Sequence, residues 1–584
     1  MTNSNNTPQA FNSNYSNISN QSSKKLLAIA LAVTTMTTAC STHDPQQTSK
    51  PTSEPVTQAK ETDARIYKQK KHEESKLAAH PLFADSTVSH TSIASIVAMP
   101  AVIPAENERY GDIKHNSVMS VNESPVSTFS IDVDTASYAN TRRFINHGQQ
   151  PPVNAVRTEE LINYFDYQYA PPSNKEQPFS VQYELGPSPW NSDRTLLHVG
   201  IQGYKDVVTE RPPANLVFLV DVSGSMNSAD KLPLVKKSLR LLTKQLNHND
   251  RISLVVYAGS AKVVLEPTQG DKTFKILQAI DQLQAGGSTH GSAGIELAYQ
   301  LGQQAHIDKG INRVMLATDG DFNVGLSSID ELKQYIENKR NTGLQLSVLG
   351  YGTGNYNDAL MEELSNRGNG NAAYIDNLKE AQKVLVNEMS STLQTIASDV
   401  KLQMEFNPQW VQEYRLLGYE NRVLAREDFN NDNVDAGDIG AGHSLTAIYE
   451  LTLTDAQKPW NDPLRYKDSP EKKAITINSN ELGLLKIRYK LPNQTTSQLL
   501  KFPVNKNKMN NNISSTSEAF RFASSVAGFS ELLRRSQYTK SYSYSDVIAQ
   551  AENAKGSDRY GYRSEFVQLA RLAQALSNES VREN

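Results

Sequence analysis

A single cysteine in 584 residues rules out any disulfide within the chain, and with it any zinc site built on thiolates. Neither sign of charge is in excess. The chain has 59 lysines and arginines against 63 aspartates and glutamates, a net charge of −4, which gives no electrostatic reason to bind nucleic acid. The apolar run Leu26–Val33 is too short to cross a bilayer as a helix, which takes about 20 residues. There is no Gly-Lys dipeptide and so no phosphate-cradling P-loop, no Gly-x-Ser-x-Gly nucleophile elbow and no His-Glu-x-x-His zinc motif. Gly368-x-Gly370-x-x-Ala373 imitates a dinucleotide fingerprint but follows a predicted helix and precedes a strand, the reverse of the required order.

What is present begins with an address. Lys24 and Lys25 precede the apolar run, and small and hydroxylated residues then lead to Ala39 and the lone Cys40. A positive end, a short apolar core and a small residue before a cleavage point make a secretory signal. The stretch resembles a bacterial lipobox, which implies that residues 1–40 are a signal peptide and that Cys40 is lipidated. Thr37 departs from that pattern, which favours an aliphatic residue there. Ser41 follows where an inner-membrane protein would carry Asp, so the resemblance implies the outer membrane. Residues 41–115 are polar and Pro-rich, without sustained apolar periodicity, and read as a flexible tether. Within them Lys68–Lys71 reads as solvated charge, and Ile93–Pro104 as an apolar stretch that its prolines keep from being helical.

A chain of this length holds more than one core. Residues 116–205 mix strands at Thr128–Val133, Phe179–Glu184 and Thr195–Tyr204 with helices at Thr135–His147 and Glu159–Tyr164. From 206 to 395 apolar strands alternate with amphipathic helices, which predicts a doubly wound, mostly parallel α/β sheet. The strands are Leu216–Val220, Ile252–Tyr257, an edge strand Lys262–Leu265, Val314–Ala317, Leu344–Gly350 and Ala373–Ile375, with Ala381–Leu393 as the closing helix. Residues 396–578 return to antiparallel strands (Val400–Phe406, Leu445–Leu453, Leu484–Leu491) and end in helices at Glu518–Arg534, Asp546–Ala551 and Glu565–Leu576. With β segments on both sides, the α/β unit is expected to be inserted into one β-rich α+β unit formed by the N- and C-terminal regions.

The chemistry collects at the carboxyl ends of the α/β strands, where open sheets of this kind bind ligands. Leu216–Val220 delivers Asp221-Val222-Ser223-Gly224-Ser225 to that edge, a carboxylate and two hydroxyls at alternate positions. Helix capping is the plain alternative for these residue types. Gly286-Gly287-Ser288-Thr289 lies on a loop before a helix, and Val314–Ala317 runs into Thr318 and Asp319. Together these loops resemble the metal-ion-dependent adhesion site of von Willebrand factor A domains. The resemblance implies that Asp221, Ser223, Ser225, Thr289 and Asp319 hold one divalent cation, directly or through water. Hard oxygen ligands suit Mg²⁺ best, with Ca²⁺ or Mn²⁺ as alternatives. An open coordination position would then accept a carboxylate from a protein partner.

Phe129–Tyr138 and Asp435–His443 resemble the flanking regions of the YfbK-like family, bacterial proteins with a central A domain. Asp132-x-Asp134 imitates the opening of a haloacid-dehalogenase phosphatase but has Ala136 where that motif wants Thr or Val, so capping of the next helix by Asp134 or Thr135 is expected instead. Asp428, Asn430 and Asp432 open like a calcium loop, which then fails at Asn433 and Ile439. The expectation is therefore a non-enzymatic, lipid-anchored adhesion module of the cell envelope that captures an acidic partner. The alternatives are a metal-dependent envelope hydrolase, for which His290 is the obvious base, and a structural protein whose metal is inert.

Overall fold

The computed structural model describes residues 107–582, save 174–175, 206–210, 289–290, 321, 323–328, 457, 463–479 and 493. The leader, Cys40 and the tether as far as residue 106, Ile93–Pro104 included, lie outside the described residues. So do Thr289 and His290.

Six strands make the α/β sheet: β1 (Ala214–Asp221), β2 (Arg251–Tyr257), β3 (Ala261–Gln269), β4 (Ile311–Thr318), β5 (Gln345–Tyr351) and β6 (Ala372–Ile375), in the order β6-β5-β4-β1-β2-β3. All pairs are parallel except β2 with the edge strand β3. Every residue of β1 and β4 is buried, as central strands covered on both faces must be. Successive side chains go to opposite faces. Leu216, Phe218, Val220 and Met315 join Leu232, Val235 and Leu239 of helix α1 (Leu232–Thr243) in one core. Val217, Leu219, Val314 and Leu316 join Ile295 and Tyr299 of α2 (Ser292–Gln304), and Leu332 and Ile336 of α3 (Ile329–Arg340), in the other. The expected single closing helix is broken: an α turn at Leu378–Gln382, a π turn at Lys383–Asn387 and a further α turn at Met389–Leu393. The buried Lys383 turns its ammonium onto Glu388 at 2.6 Å, above the Tyr164 ring.

The flanks form two antiparallel sheets whose inner faces share one core containing Phe129, Leu197, Val199, Leu402, Met404, Tyr414, Tyr449 and Ile487. In one sheet, Ser444–Leu451 pairs residue for residue with Thr195–Gln202; in the other, Lys401–Glu405 pairs with Val126–Ser130. Strands from before and after the α/β unit are therefore neighbours, and that unit is an insertion between them. Val411–Leu417 and Gln498–Asn505, not anticipated in the sequence, complete the sheets. Helices Ala136–Asn146 and Thr158–Asn163 pack with Glu518–Leu533, Tyr544–Asn553 and Tyr562–Arg582 around Phe165, Phe522, Phe529 and Phe566. No described helix is long and apolar enough to cross a membrane. Ordered structure also starts earlier than residue 116. Arg109 donates its N–H to the Tyr356 carbonyl at 2.9 Å, and its own carbonyl accepts the N–H of Asp358 at 3.0 Å. Pairing through the backbone leaves no mark on apolar periodicity.

One guanidinium ties all three regions together. Arg142, with 1 % of its side chain exposed, grips Asp376 after β6 with two nitrogens. It also reaches Glu380 at 2.8 Å and Glu565 of the last helix at 2.8 Å. Removing one partner from a buried charge network strands the others, at a cost of about 3–5 kcal/mol. Arg142→Met should lower the free energy of urea unfolding by that amount. A loss below about 1 kcal/mol would mean that the network does not hold the regions together.

Candidate metal centre

β1 ends on Asp221 because the chain must turn there. Val222 donates to the Tyr257 carbonyl at 3.0 Å, and its own carbonyl accepts the N–H of Gly286 at 2.7 Å. Gly224 then donates to the Gly287 carbonyl at 3.0 Å. Gly287 makes this approach at φ +90°, a conformation that costs other residues strain. The loop before α2 is thus laced to the Asp221 loop. Ser223 donates its N–H to Asp221 Oδ1 at 2.8 Å, and the hydroxyls of Ser223 and Ser225 stand 2.9 Å apart. β4 pairs in register with β1 up to Val220 and Ala317, so Asp319 emerges beside Asp221. The structure therefore brings together Asp221, Ser223, Ser225 and Asp319. Gly224, Ser225 and Gly286–Ser288 are exposed, so this rim is open to solvent.

The electrostatics are unbalanced. Asp221 is fully buried, and its Oδ2 has no hydrogen-bond partner. The buried Tyr257 hydroxyl lies against Asp221, and that contact favours the charged carboxylate. Burial lifts Asp221 from the ordinary 3.8 to about 6; hydrogen bonds from Ser223 oppose the rise, and the neighbouring charge of Asp319 adds to it. Asp319 is equally buried, but the Lys231 ammonium sits 2.8 Å from its Oδ2. An orphaned buried carboxylate oxygen, two adjacent hydroxyls and a second carboxylate are the hard oxygen donors that a Mg²⁺- or Ca²⁺-type ion takes. Among the described residues no cluster of three or more His, Cys, Asp or Glu could hold a metal. A cation held here would draw on the serine hydroxyls as well as the two carboxylates.

Two other candidates resolve into structural roles. Neither Asp134 nor Thr135 caps the helix at Ala136 through its side chain. Asp134 Oδ1 instead accepts the N–H of Ala372 at the start of β6 (3.0 Å), and Asp132 receives Arg422 Nε at 2.9 Å. The pair ties the β unit to the edge of the α/β sheet. The segment holding Asp428, Asn430 and Asp432 does not wrap a calcium ion. The carbonyls of Asp428 and Asn431 accept from the ammonium of Lys401 at 3.1 and 2.6 Å, and that of Asp432 accepts from Lys490 at 2.8 Å. Asn430 accepts from Arg488 at 2.8 Å, and Asp432 Oδ2 from the N–H of Ser497 at 3.3 Å. Lysine and arginine fill the cation's place, and they come from strands that are distant along the chain.

Three described families match the sequence. "von Willebrand factor" covers residues 104–198, "von Willebrand factor type A domain" residues 215–387, and "Uncharacterized protein YfbK, C-terminal" residues 391–576. Uncharacterized protein YfbK of Escherichia coli is 45% identical over 525 residues, spanning 89% of this chain and 88% of that protein. Human inter-alpha-trypsin inhibitor heavy chain H3 is 23% identical over 271 residues, 42% of this chain and 29% of its own length. Among solved structures, a von Willebrand factor type A protein from Catenulispora acidiphila covers 67% of this chain and 89% of its own, at 13% identity and a TM-score of 0.37. The ArnB paralog VWA2 from Sulfolobus acidocaldarius covers 68% and 98%, at 13% identity and a TM-score of 0.32.

The orphaned carboxylate makes the metal-free protein pH-sensitive. The folded chain holds the Asp221 proton more tightly than the unfolded chain, so the stability linked to it is present in acid and is lost as the pH climbs from the ordinary carboxylate range through about 6. In EDTA, Asp221→Asn should stabilise the protein by about 1–3 kcal/mol at pH 8 and change little at pH 4, read by thermal unfolding. A melting midpoint at pH 8 that stays the same or falls would show that the carboxylate is already compensated.

Proposed function

This chain belongs to the YfbK family and carries a von Willebrand factor A domain. From that premise we propose that the domain binds a protein partner through one divalent cation held by Asp221, Ser223, Ser225 and Asp319, with Thr289 as a fifth ligand. The observation that carries this reading is the buried Asp221 Oδ2, left without a partner beside two hydroxyls on a solvent-exposed rim. Native chains rarely leave a buried carboxylate oxygen unpaired, because desolvation costs about 1–3 kcal/mol or more.

Each residue has a defined task. Asp221 supplies charge from a fixed direction, since its other oxygen is held by the N–H of Ser223. Ser223 and Ser225 supply neutral oxygens, and the exposed Ser225 stands at the rim where a partner would approach. When bound, the cation would supply a Lewis-acidic open coordination position, which suits the carboxylate of an acidic side chain. Mg²⁺ is the ion we expect, with Ca²⁺ and Mn²⁺ as alternatives. The task we assign is binding, not turnover: Asp319 is paired with the Lys231 ammonium, and the open Asp221 oxygen is given to the cation.

We place the protein at the cell envelope, anchored to the outer membrane by a lipid on Cys40. Cys40→Ser should abolish incorporation of labelled palmitate and move the protein from the membrane pellet to the soluble fraction. Equal labelling of both forms would refute the anchor. The binding reading is tested by retention of envelope proteins on the immobilised full chain. Retention should occur in Mg²⁺, vanish in EDTA and fall at least about tenfold in Asp221→Ala, the size of a modest coupling energy. Retention that ignores both EDTA and the substitution would contradict it.

A further inference from the structure

Lys231 stands in a place where a lysine is poorly suited to the local backbone. It occupies the residue before the first turn of α1, where the helix dipole disfavours positive charge and where Ser, Thr, Asp or Asn would cap the free N–H groups. It makes no capping bond. Its side chain instead runs inward past the loop after β5 and delivers Nζ to Asp319 Oδ2 at 2.8 Å, with 9 % of the lysine side chain and none of the aspartate exposed. The passage is shaped for it. A Cβ on Gly352 would lie 2.2 Å from Lys231 Cγ and 2.5 Å from Cε, and Gly352 adopts φ +74°, so any other residue there would be both strained and in collision with the lysine stem. That loop is pinned in turn. The Gly352 carbonyl accepts from the Tyr374 hydroxyl at 2.7 Å, and Gly354 donates its N–H to Glu108 at 3.1 Å.

We propose that Lys231 is a resident counter-ion of the metal centre, which an incoming divalent cation must displace from Asp319. The proposal rests on the cation site described above. Asp221 and Asp319 contribute two negative charges and Lys231 one positive. Exchanging the ammonium for a divalent cation turns a net −1 into a net 0, whereas keeping both gives +1 in a buried pocket. Two cations sharing one desolvated carboxylate repel each other strongly, because charges a few ångströms apart interact far more strongly here than in water. The lysine thus does two things. It keeps Asp319 paired when no cation is present, and it sets a threshold, so that only ion concentrations high enough to overcome the pairing switch the site into its partner-binding form. Lys231 is a positioning and affinity-setting residue, not a ligand.

The test uses the full chain, with Mn²⁺ as probe and calorimetric titration as readout, alongside thermal unfolding in EDTA and in Mn²⁺. Lys231→Met keeps the stem and removes the charge. It should bind Mn²⁺ at least tenfold more tightly than the unsubstituted protein, melt lower in EDTA and recover in Mn²⁺. Lys231→Arg should bind close to the unsubstituted level. Lys231→Gln keeps a hydrogen-bond donor for Asp319 and should also bind more tightly; it decides the matter if the Met variant does not fold. Should the Met and Gln variants bind Mn²⁺ equally well or more weakly than the unsubstituted chain, Lys231 merely props Asp319 and the counter-ion proposal is overturned, while the cation site stands. Should no form bind Mn²⁺, and Asp221→Ala make no difference, the cation site itself falls, and the proposal with it.

Discussion

Asp221 and Asp319 end adjacent parallel strands with no exposure to water, beneath a rim on which Gly224, Ser225 and Gly286–Ser288 are exposed. Like charges in so dry a place must be compensated or one of them must take a proton. The chain compensates unevenly: Asp319 has the Lys231 ammonium, while Asp221 has only neutral groups, the Ser223 N–H on one oxygen and the Tyr257 hydroxyl nearby. Much of the local architecture follows from this imbalance. Glycine at 287 and 352 lets two loops come close enough to enclose the pair, and buried β1 and β4 hold the carboxylates in register. A site that keeps an unsatisfied carboxylate oxygen gives up stability for the capacity to bind a positive ion.

The rest of the molecule presents this edge to solvent. At the amino ends of the strands, Arg313 and Ser347 line a cavity of about 700 Å³ together with Gly442, His443 and Arg563. Contacts between the two units are charged and specific: Asp134 on the β6 backbone, Arg422 on Glu362, Arg142 among three carboxylates. The carboxyl-end loop after β5 is held by Glu108 on the Gly354 N–H and by Arg157 on Asp358, while Gly224, Ser225 and Gly286–Ser288 stay exposed. Family membership and the architecture agree on this arrangement, since the flanking regions matched at 104–198 and 391–576 are the ones whose strands pair with each other.

Local patterns carried the parts that the sequence could reveal. Continuous apolar strands such as Leu216–Val220 can sit only in the middle of a covered sheet, and Asp-x-Ser-x-Ser falls within five consecutive residues, so both can be read without knowing what lies far along the chain. Helix Glu518–Leu533 was marked by Phe522, Ala523, Val526 and Leu533 on one face, all buried in the helical core. Legibility ended where function depends on distant pairing. Lys231 looks like an ordinary helix-start residue until Asp319, 88 positions later, is folded beside it. Asp132 meets Arg422 across 290 positions, and the Asp428 loop resembles a calcium site only while Lys401 is out of view. Residues 107–111 gave no signal because their contacts to Tyr356 and Asp358 are made by backbone.

Anomalous diffraction at the manganese edge, from crystals of the full chain grown with Mn²⁺, tests the central claim most directly. One strong peak is expected at the carboxyl ends of β1 and β4, within bonding distance of Ser223 and Ser225 oxygens, with the Lys231 ammonium moved off Asp319. A map without a peak there, or with the ion seated elsewhere and the lysine–aspartate pair undisturbed, would contradict it.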